Sequence, residues 1–403
     1  MSDTLSGEIV IAGTGPAGMI AALALSEAGF RIVLAGPEPR RDDRRTVALM
    51  RPALAVLDRL GVLVRVADKA APLRVMRIVD ATQRLVRSPV VTFRANEIGE
   101  ESFGLNMPNT VLNEALEAAI AERTWITWRK SPVAAWELGA EAATATLEDG
   151  TNVSARLAVG ADGRDSPARA AADIKTTSRT HPQAALVLNF THSRDHGSTS
   201  TEFHTETGPF TQVPLPGKRS SLVWVVQPEI AEELATMDDA ALSLRIEDKM
   251  QSMLGRVTVE PGRQVYPLSS ILPSRFARGR LALVGEAAHV FPPIGAQGLN
   301  LGIRDVEDLV RTASEHRDDP GEPAALSAYD RRRRPDVLAR STAVQLLNRS
   351  LLSDLLPAQL ARSAGLGLLH ALSPVRAFFM REGMQPGSGF ARIVSSLREQ
   401  VRH

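Results

Sequence analysis

Three clusters of residues have the composition and spacing to do chemistry. The first is Gly13-Thr14-Gly15-Pro16-Ala17-Gly18, between the apolar run Glu8–Ala12 and the Ala/Leu-rich run Met19–Ala28. Gly29 would end that run as a C-cap, and Phe30–Leu34 follows as a second apolar stretch. This reads as strand, tight turn, helix, strand. In that context Gly13 permits the turn, Gly15 lets backbone approach a pyrophosphate, and Gly18 lets the helix pack on the strand. The phosphates would lie on free N–H groups at the positive end of the helix. The motif predicts a dinucleotide site. An acid that binds ribose should end the second strand near position 36, where the chain has Gly36. Glu38 could serve if the turn folds back, or it could be a solvated loop residue. Arg45 could reach phosphates or a ribityl chain, or lie on the surface.

The second cluster is Leu157–Arg169, an apolar strand running into Asp162-Gly163-Arg164-Asp165-Ser166. The third is Gly279–Asp305. There Arg280–Val284 predicts a strand, with Gly285 and Glu286 at its carboxyl end, where ligands bind in open α/β sheets. Pro292-Pro293 predicts a rigid loop, and Gly298 opens a helix that runs past Asp305.

Taken in order and at their distances, the three clusters resemble the flavoprotein aromatic hydroxylases of the para-hydroxybenzoate hydroxylase fold. The resemblance covers about residues 7–340. It is nearest to the ubiquinone-biosynthesis hydroxylases, on Pro292-Pro-Ile-Gly-Ala-Gln-Gly-Leu-Asn-Leu-Gly302. Gly208–Leu215 with Ser221–Trp224, and Tyr266–Ser270, are supportive. The resemblance implies an α/β fold: a Rossmann-like FAD-binding domain with an inserted antiparallel-sheet substrate domain and a C-terminal helical segment. It implies FAD as cofactor, NADPH or NADH as reductant, molecular oxygen as co-substrate, and hydroxylation of a phenolic ring through a flavin hydroperoxide. A polyprenyl phenol is the leading substrate. A small soluble aromatic acid, or a flavin-binding scaffold subunit with little turnover, are the alternatives. The family has Asp where this chain has Glu286, which carries the same charge on a side chain one methylene longer.

The resemblance also implies site roles. Leu299 and Asn300, at the start of the Gly298 helix, would aim N–H groups at the electron-rich edge of the flavin, and Gly295 and Gly298 would permit close approach. Pro292 and Pro293 would wall the reacting side. Gln297 could touch flavin or lock the loop. Gly285 and Glu286 would hold the ribityl chain, and Asp162, Gly163, Ser166 and Arg169 would serve both FAD and the nicotinamide, or form a hydrogen-bonded turn. His289 reads as a buried structural histidine. Phe210, Gln212 and Trp224 are candidate substrate-pocket residues, or they alternate into a core.

The elements that must position these groups divide as 1–75, 95–180 and 265–340 for the FAD-binding domain, and 76–94 and 181–264 for the substrate domain. A helical segment, 341–403, follows. Ala184–Asn189, Thr201–Thr205, Phe210–Val213 and Ser220–Gln227 predict antiparallel strands, and Ile230–Leu254 predicts helix. The tail is amphipathic; membrane contact would suit a polyprenyl substrate, and helix packing is the favoured reading. The basic run Arg331–Arg334 could join such a surface. A biosynthetic complex or a homo-oligomer is an accompanying expectation. Forty-seven basic against forty-six acidic residues leave a net charge of +1, which argues against nucleic acid as a partner. The absence of cysteine excludes disulfides, iron–sulfur clusters, cysteine zinc sites and a thiol nucleophile. No metal spacing of His or Asp is present, so no metal is expected. Met1–Glu8 lacks a basic n-region, and Gly13, Gly15, Pro16 and Gly18 interrupt the uncharged run Ile9–Ser26, so the expected location is cytoplasmic.

Overall fold

Ile9–Ala12 is apolar at every position, and such a strand is stable only with both faces covered. In the computed structural model it lies inside a six-stranded sheet. The order is Ala277–Arg278, Leu281–Leu283, Leu157–Gly160, Ile9–Ala12, Ile32–Ala35, Ile126–Arg129, all parallel except the first. The structure describes residues 4–82, 88–292, 297–352, 365, 367–369 and 371–384. Helix Pro16–Glu27 packs its buried Met19–Leu25 face against helices Asn109–Ala121 and Gln297–Glu315. Gly29 takes a left-handed φ of 87° just past this helix, as the C-cap reading requires. Trp125 is exposed, and Trp128 lies on the edge strand with its indole N–H donating to the Gly36 carbonyl at 3.0 Å.

Two small sheets flank this core. One pairs Thr4–Ser6, Asn152–Ala155, Ala143–Leu147 and Val133–Leu138; the other pairs Thr46–Met50, Gly104–Pro108 and Ala71–Leu73. The stretch read as antiparallel strands forms most of an eight-stranded sheet. Its order is Val257–Val259, Thr176–His192, Arg219–Val226, Pro209–Leu215, Thr199–His204, Val75–Asp80, Val91–Arg94, with Gln264–Pro273 also paired to Thr176–His192. The strands Thr176–His192 and Gln264–Pro273 run across the expected boundaries at 180/181 and 264/265. The predicted helix Ile230–Leu254 is two helices, Pro228–Thr236 and Asp239–Lys249. Asp238 interrupts it because its carboxylate accepts from the Ala240 and Ala241 N–H groups and starts a new helix.

Toward the C-terminus, helix Pro323–Leu352 is followed by Ser373–Met384. The latter packs Met380 and Ala377 against Ile98, Phe103 and Phe93, and Arg376 pairs with Glu97 at 2.8 Å. Leu368 and Leu372 are exposed. Among the described residues no helix is long and apolar enough to cross a membrane. Arg331–Arg334 is not a continuous basic surface. Arg332 pairs with Glu315, and Arg333 is buried against Asp305. In a helix these neighbours point about 100° apart, so a run in sequence is not a patch in space.

Candidate cofactor and substrate site

The three sequence clusters converge at the carboxyl ends of the central strands. A Cβ at Gly13 would overlap the Ala161 carbonyl, and one at Gly18 would overlap the Gly13 carbonyl, so both glycines are required for packing. Gly15 differs: nothing lies within 4 Å of a Cβ built there. It is the N-cap of helix Pro16–Glu27, with Pro16 at the first position and no side chain capping the free N–H groups. An open cradle before an uncapped helix N-terminus fits the pyrophosphate of FAD. Gly36 has φ +153°, and a Cβ there would come within 2.9 Å of the Thr14 side chain, whose hydroxyl bonds the Pro37 carbonyl. Thr14 therefore occupies the room that an acid at position 36 would need. Glu38 is exposed and paired with Lys130, which holds its carboxyl below the ordinary range.

Gly285 turns with φ 63°, and a Cβ on it would press on Ala17, so the third cluster closes directly on the first. Behind the turn is a buried ionic network. Asp305 Oδ2 accepts from the Gly285 N–H at 3.0 Å and lies 2.7 Å from His289 Nε2; Oδ1 accepts from Arg333 Nε at 2.8 Å. Arg333 also reaches Asp308 and Asp336. Burial by itself would raise the Asp305 carboxyl, but the charges of His289 and Arg333 hold it below the usual carboxylate range. His289 is the structural histidine expected. The role of Asp305, and Arg333 as its partner, were missed by sequence reasoning.

Asp162 accepts from the Ser166 hydroxyl at 2.5 Å and the Ala168 N–H at 2.8 Å, and Ser166, the N-cap of helix Pro167–Ala171, accepts from the Arg169 N–H at 2.9 Å. Burial pushes its carboxyl up against these bonds. Gly163 makes the turn with φ 87°. Arg169 donates to the Ala287 carbonyl at 2.8 Å, so the Asp-Gly segment braces the Gly285 turn. Glu286 is exposed on the rim, where Arg45 is a charge within its field. Arg45 is clamped by Asp43 at 2.8 Å and lies 5.8 Å from the Tyr266 ring. Burial works against it, but bonds from Arg45 and Asn109 hold Asp43 below its ordinary value. Asp43 and Tyr266 lie against Arg45; the former carries no motif, and only the tertiary contact exposes it.

Gln297, Gly298, Leu299 and Asn300 form the first turn of helix Gln297–Glu315, which leaves their backbone N–H groups without intrahelical partners. The Asn300 side chain is engaged elsewhere: Oδ1 accepts from Met50 N–H and Nδ2 donates to the Ala48 carbonyl, both at 2.8 Å. Those bonds tie the helix start to the strand that follows Arg45. Pro292 is buried. Pro293, Gly295 and the Gln297 side chain lie outside the described residues.

The large sheet has two faces, and the candidate pocket residues Phe210, Gln212 and Trp224 are on the one buried as core. Phe210, Trp224 and Phe203 pack with Leu222, Leu234 and Ile246 in the core beneath the two helices Pro228–Thr236 and Asp239–Lys249. Gln212 shares that face, fully buried, with its amide on Ser220 at 2.8 Å. The correction follows from the two-residue period: Phe210 pairs with Trp224, so both point the same way, and the helices cover that side. The opposite face meets the strands Thr46–Met50 and Gly104–Pro108 and the loop before them. Ser221 bonds Thr46 at 3.0 Å, Asn106 bonds the Pro214 carbonyl at 2.8 Å, and Asn189 bonds the Arg44 carbonyl at 3.0 Å.

The sequence profile of a family described as FAD binding domain matches residues 7–342. A ubiquinone hydroxylase, UbiL, of Rhodospirillum rubrum is 32% identical over 94% of this chain and 89% of its own. The 3-demethoxyubiquinol 3-hydroxylase of Escherichia coli is 29% identical, over 89% of this chain and 93% of its own. Among solved structures, PqsL of Pseudomonas aeruginosa, a probable FAD-dependent monooxygenase, superposes with a TM-score of 0.76 at 23% identity, covering 90% of this chain and 99% of that one.

Proposed function

We infer, from the premise that this chain belongs to the FAD binding domain family, that it is an NAD(P)H- and FAD-dependent monooxygenase acting on a phenolic ring. The ring we propose is a polyprenylated phenol of ubiquinone biosynthesis, as the names of the two relatives suggest. The observation that carries the reading is the closure of the Gly285 turn on Ala17, which joins the open Gly15 cradle to the rim carrying Glu286 and Arg45. Gly15 with Ala17 and Gly18 would hold the pyrophosphate, Glu286 and Arg45 the ribityl side, and the first turn of the Gln297 helix the flavin edge. Bound FAD would pass the electrons of NADH or NADPH to molecular oxygen, one atom of which enters the ring while the other leaves as water. The protein's part is to orient the ring beneath the large sheet, to donate N–H groups where negative charge gathers, and to exclude water. Pro292 would close that side without an N–H to donate.

We also propose the division into an FAD-binding domain and a substrate domain, with the strand Gln264–Pro273 bridging them, and a cytoplasmic enzyme that touches the inner membrane. The exposed Leu368 and Leu372 support such contact. The purified protein should be yellow and release FAD, not FMN, on heating, and candidate phenols should stimulate its NAD(P)H oxidation. No flavin after reconstitution with excess FAD would overturn the reading.

A further inference from the structure

The chain passes between the large sheet and the cofactor-binding elements at two places, and the ladder is broken at one of them. Strand Thr176–His192 pairs regularly with Gln264–Pro273 from Thr176 and Pro273 to Thr180 and Ser269, and again from Ala184 and Pro267 to Val187 and Gln264. Between the two runs, His181, Pro182 and Gln183 oppose Leu268 alone. Extra residues on one strand disrupt the ladder and let the strand bend. Pro182 and Pro267 are both exposed, and neither brings an N–H to mend the break. The break also divides the core. On one side Ile174 and Leu272 pack with the central sheet; on the other Ala184 and Val265 pack under helices Pro228–Thr236 and Asp239–Lys249. Leu268 belongs to neither cluster. The second crossing is at Arg74, whose carbonyl accepts from the Ala95 N–H at 3.0 Å, and there Met50, Met76 and Phe93 pack around Ile98 and Phe103.

The two crossings stand at opposite corners of the sheet. Ala184 pairs with Val226, the last residue of its strand, and Val75 pairs with Thr199 at the other end of the strands. Off that diagonal the sheet meets the cofactor rim through single polar contacts. Asn189 donates to the Arg44 carbonyl, Ser221 bonds Thr46, and Asn106 donates to the Pro214 carbonyl. Among the described residues no apolar cluster spans this part of the seam. An interface without a large shared core leaves its two sides free to move. We propose that His181–Gln183 and Leu268 form a hinge, on which the large sheet swings away from Arg44–Thr46 and opens the cofactor rim for FAD to enter and leave. The role given to FAD rests on the monooxygenase reading above. At rest His181 bonds the Ser270 hydroxyl at 2.8 Å and Gln183 donates to the Thr207 carbonyl at 2.6 Å, which sets the closed angle. Opening trades the seam hydrogen bonds for water, a modest cost per bond, and parts Tyr266 from Arg45.

The chain has no cysteine, so an introduced thiol is a unique reporter. Ser221 is 2% exposed, and in Ser221→Cys a thiol reagent reaches the side chain only when the seam opens. Adding Pro182→Gly should speed labelling several-fold, because glycine frees the backbone of the hinge. Adding Thr177→Gly, in the regular part of the same ladder, should leave it unchanged. Equal effects of the two, or no effect of Pro182→Gly, would overturn the hinge. Thr46→Cys with Ser221→Cys replaces two hydroxyls 3.0 Å apart by thiols close enough to oxidise into a clamp. With FAD bound, the oxidised protein should release flavin on dilution about tenfold or more slowly than the same protein reduced. Equal release rates, or a pair that does not oxidise, would overturn the proposal. A folded protein that takes up no FAD refutes the monooxygenase reading instead, and thiol labelling still decides the hinge.

Discussion

Replacing Asp305 by Asn should destabilise the protein by about 3–5 kcal/mol, the cost of breaking a buried ion pair on one side. The geometry explains why an isosteric change is so costly. Each oxygen of Asp305 faces donors: Arg333 Nε on one side, the Gly285 N–H and His289 Nε2 on the other. An amide must turn its NH2 toward one of those donors, losing that interaction and leaving the Arg333 guanidinium with less compensation at 1% exposure. With unfolding entropy near 2.1 cal/mol/K per residue, the loss lowers Tm by about 4–6 °C if the whole chain unfolds together. Urea denaturation of the FAD-free protein, followed by circular dichroism, measures it without the stabilisation that bound FAD adds. FAD affinity should fall as well, because the Gly285 turn loses its anchor. The pH dependence has a definite sign. The folded-state carboxyl of Asp305 lies below its unfolded value. Its stabilisation is therefore complete above the unfolded value of about 4 and is lost as pH falls through the folded value, so the gap between wild type and Asp305→Asn should narrow on acidification. Asp308→Asn is the control: Asp308 also reaches Arg333, but its side chain is 20% exposed, and about 1 kcal/mol is expected. Equal losses in the two variants, or less than about 1 kcal/mol for Asp305→Asn, would refute the network as the support of the turn.

Installing the acid absent from position 36 should not help: Gly36→Glu meets Thr14 and a φ of +153°, so FAD fluorescence titration should show no tighter binding and melting should show a lower Tm. A tighter FAD complex would contradict this steric account. Glu286→Ala should weaken FAD about tenfold to a hundredfold, while Glu286→Asp should retain it; an unchanged dissociation constant in the Ala variant removes Glu286 from the site. Pro292→Gly should admit water, so hydrogen peroxide rises and hydroxylated product per NAD(P)H falls several-fold while NAD(P)H oxidation changes little. Equal loss of both, with FAD retained, would assign Pro292 to substrate or reductant binding instead.

Local rules carried much of this protein. Gly13, Gly15 and Gly18 between two all-apolar strands state a βαβ turn outright, because backbone conformation and strand burial are written in residue type over short distances. The Gly285 and Gly298 segments, the antiparallel strands and the buried character of His289 follow from equally local patterns. The two faces of the large sheet did not. A period of two says which residues share a face, but not which face the helices will cover. Here both faces are apolar enough to be core: Phe210 and Trp224 on one, Val187 and Val223 on the other. Only the packing of helices Pro228–Thr236 and Asp239–Lys249 chose between them, and that choice put Phe210, Gln212 and Trp224 in the interior beneath the helices. In the same way Arg333 looked like one of four surface arginines until the helix-on-helix contact placed it on Asp305, 28 residues away. An ion pair between two helices is fixed by their crossing, and no spacing in the chain encodes it.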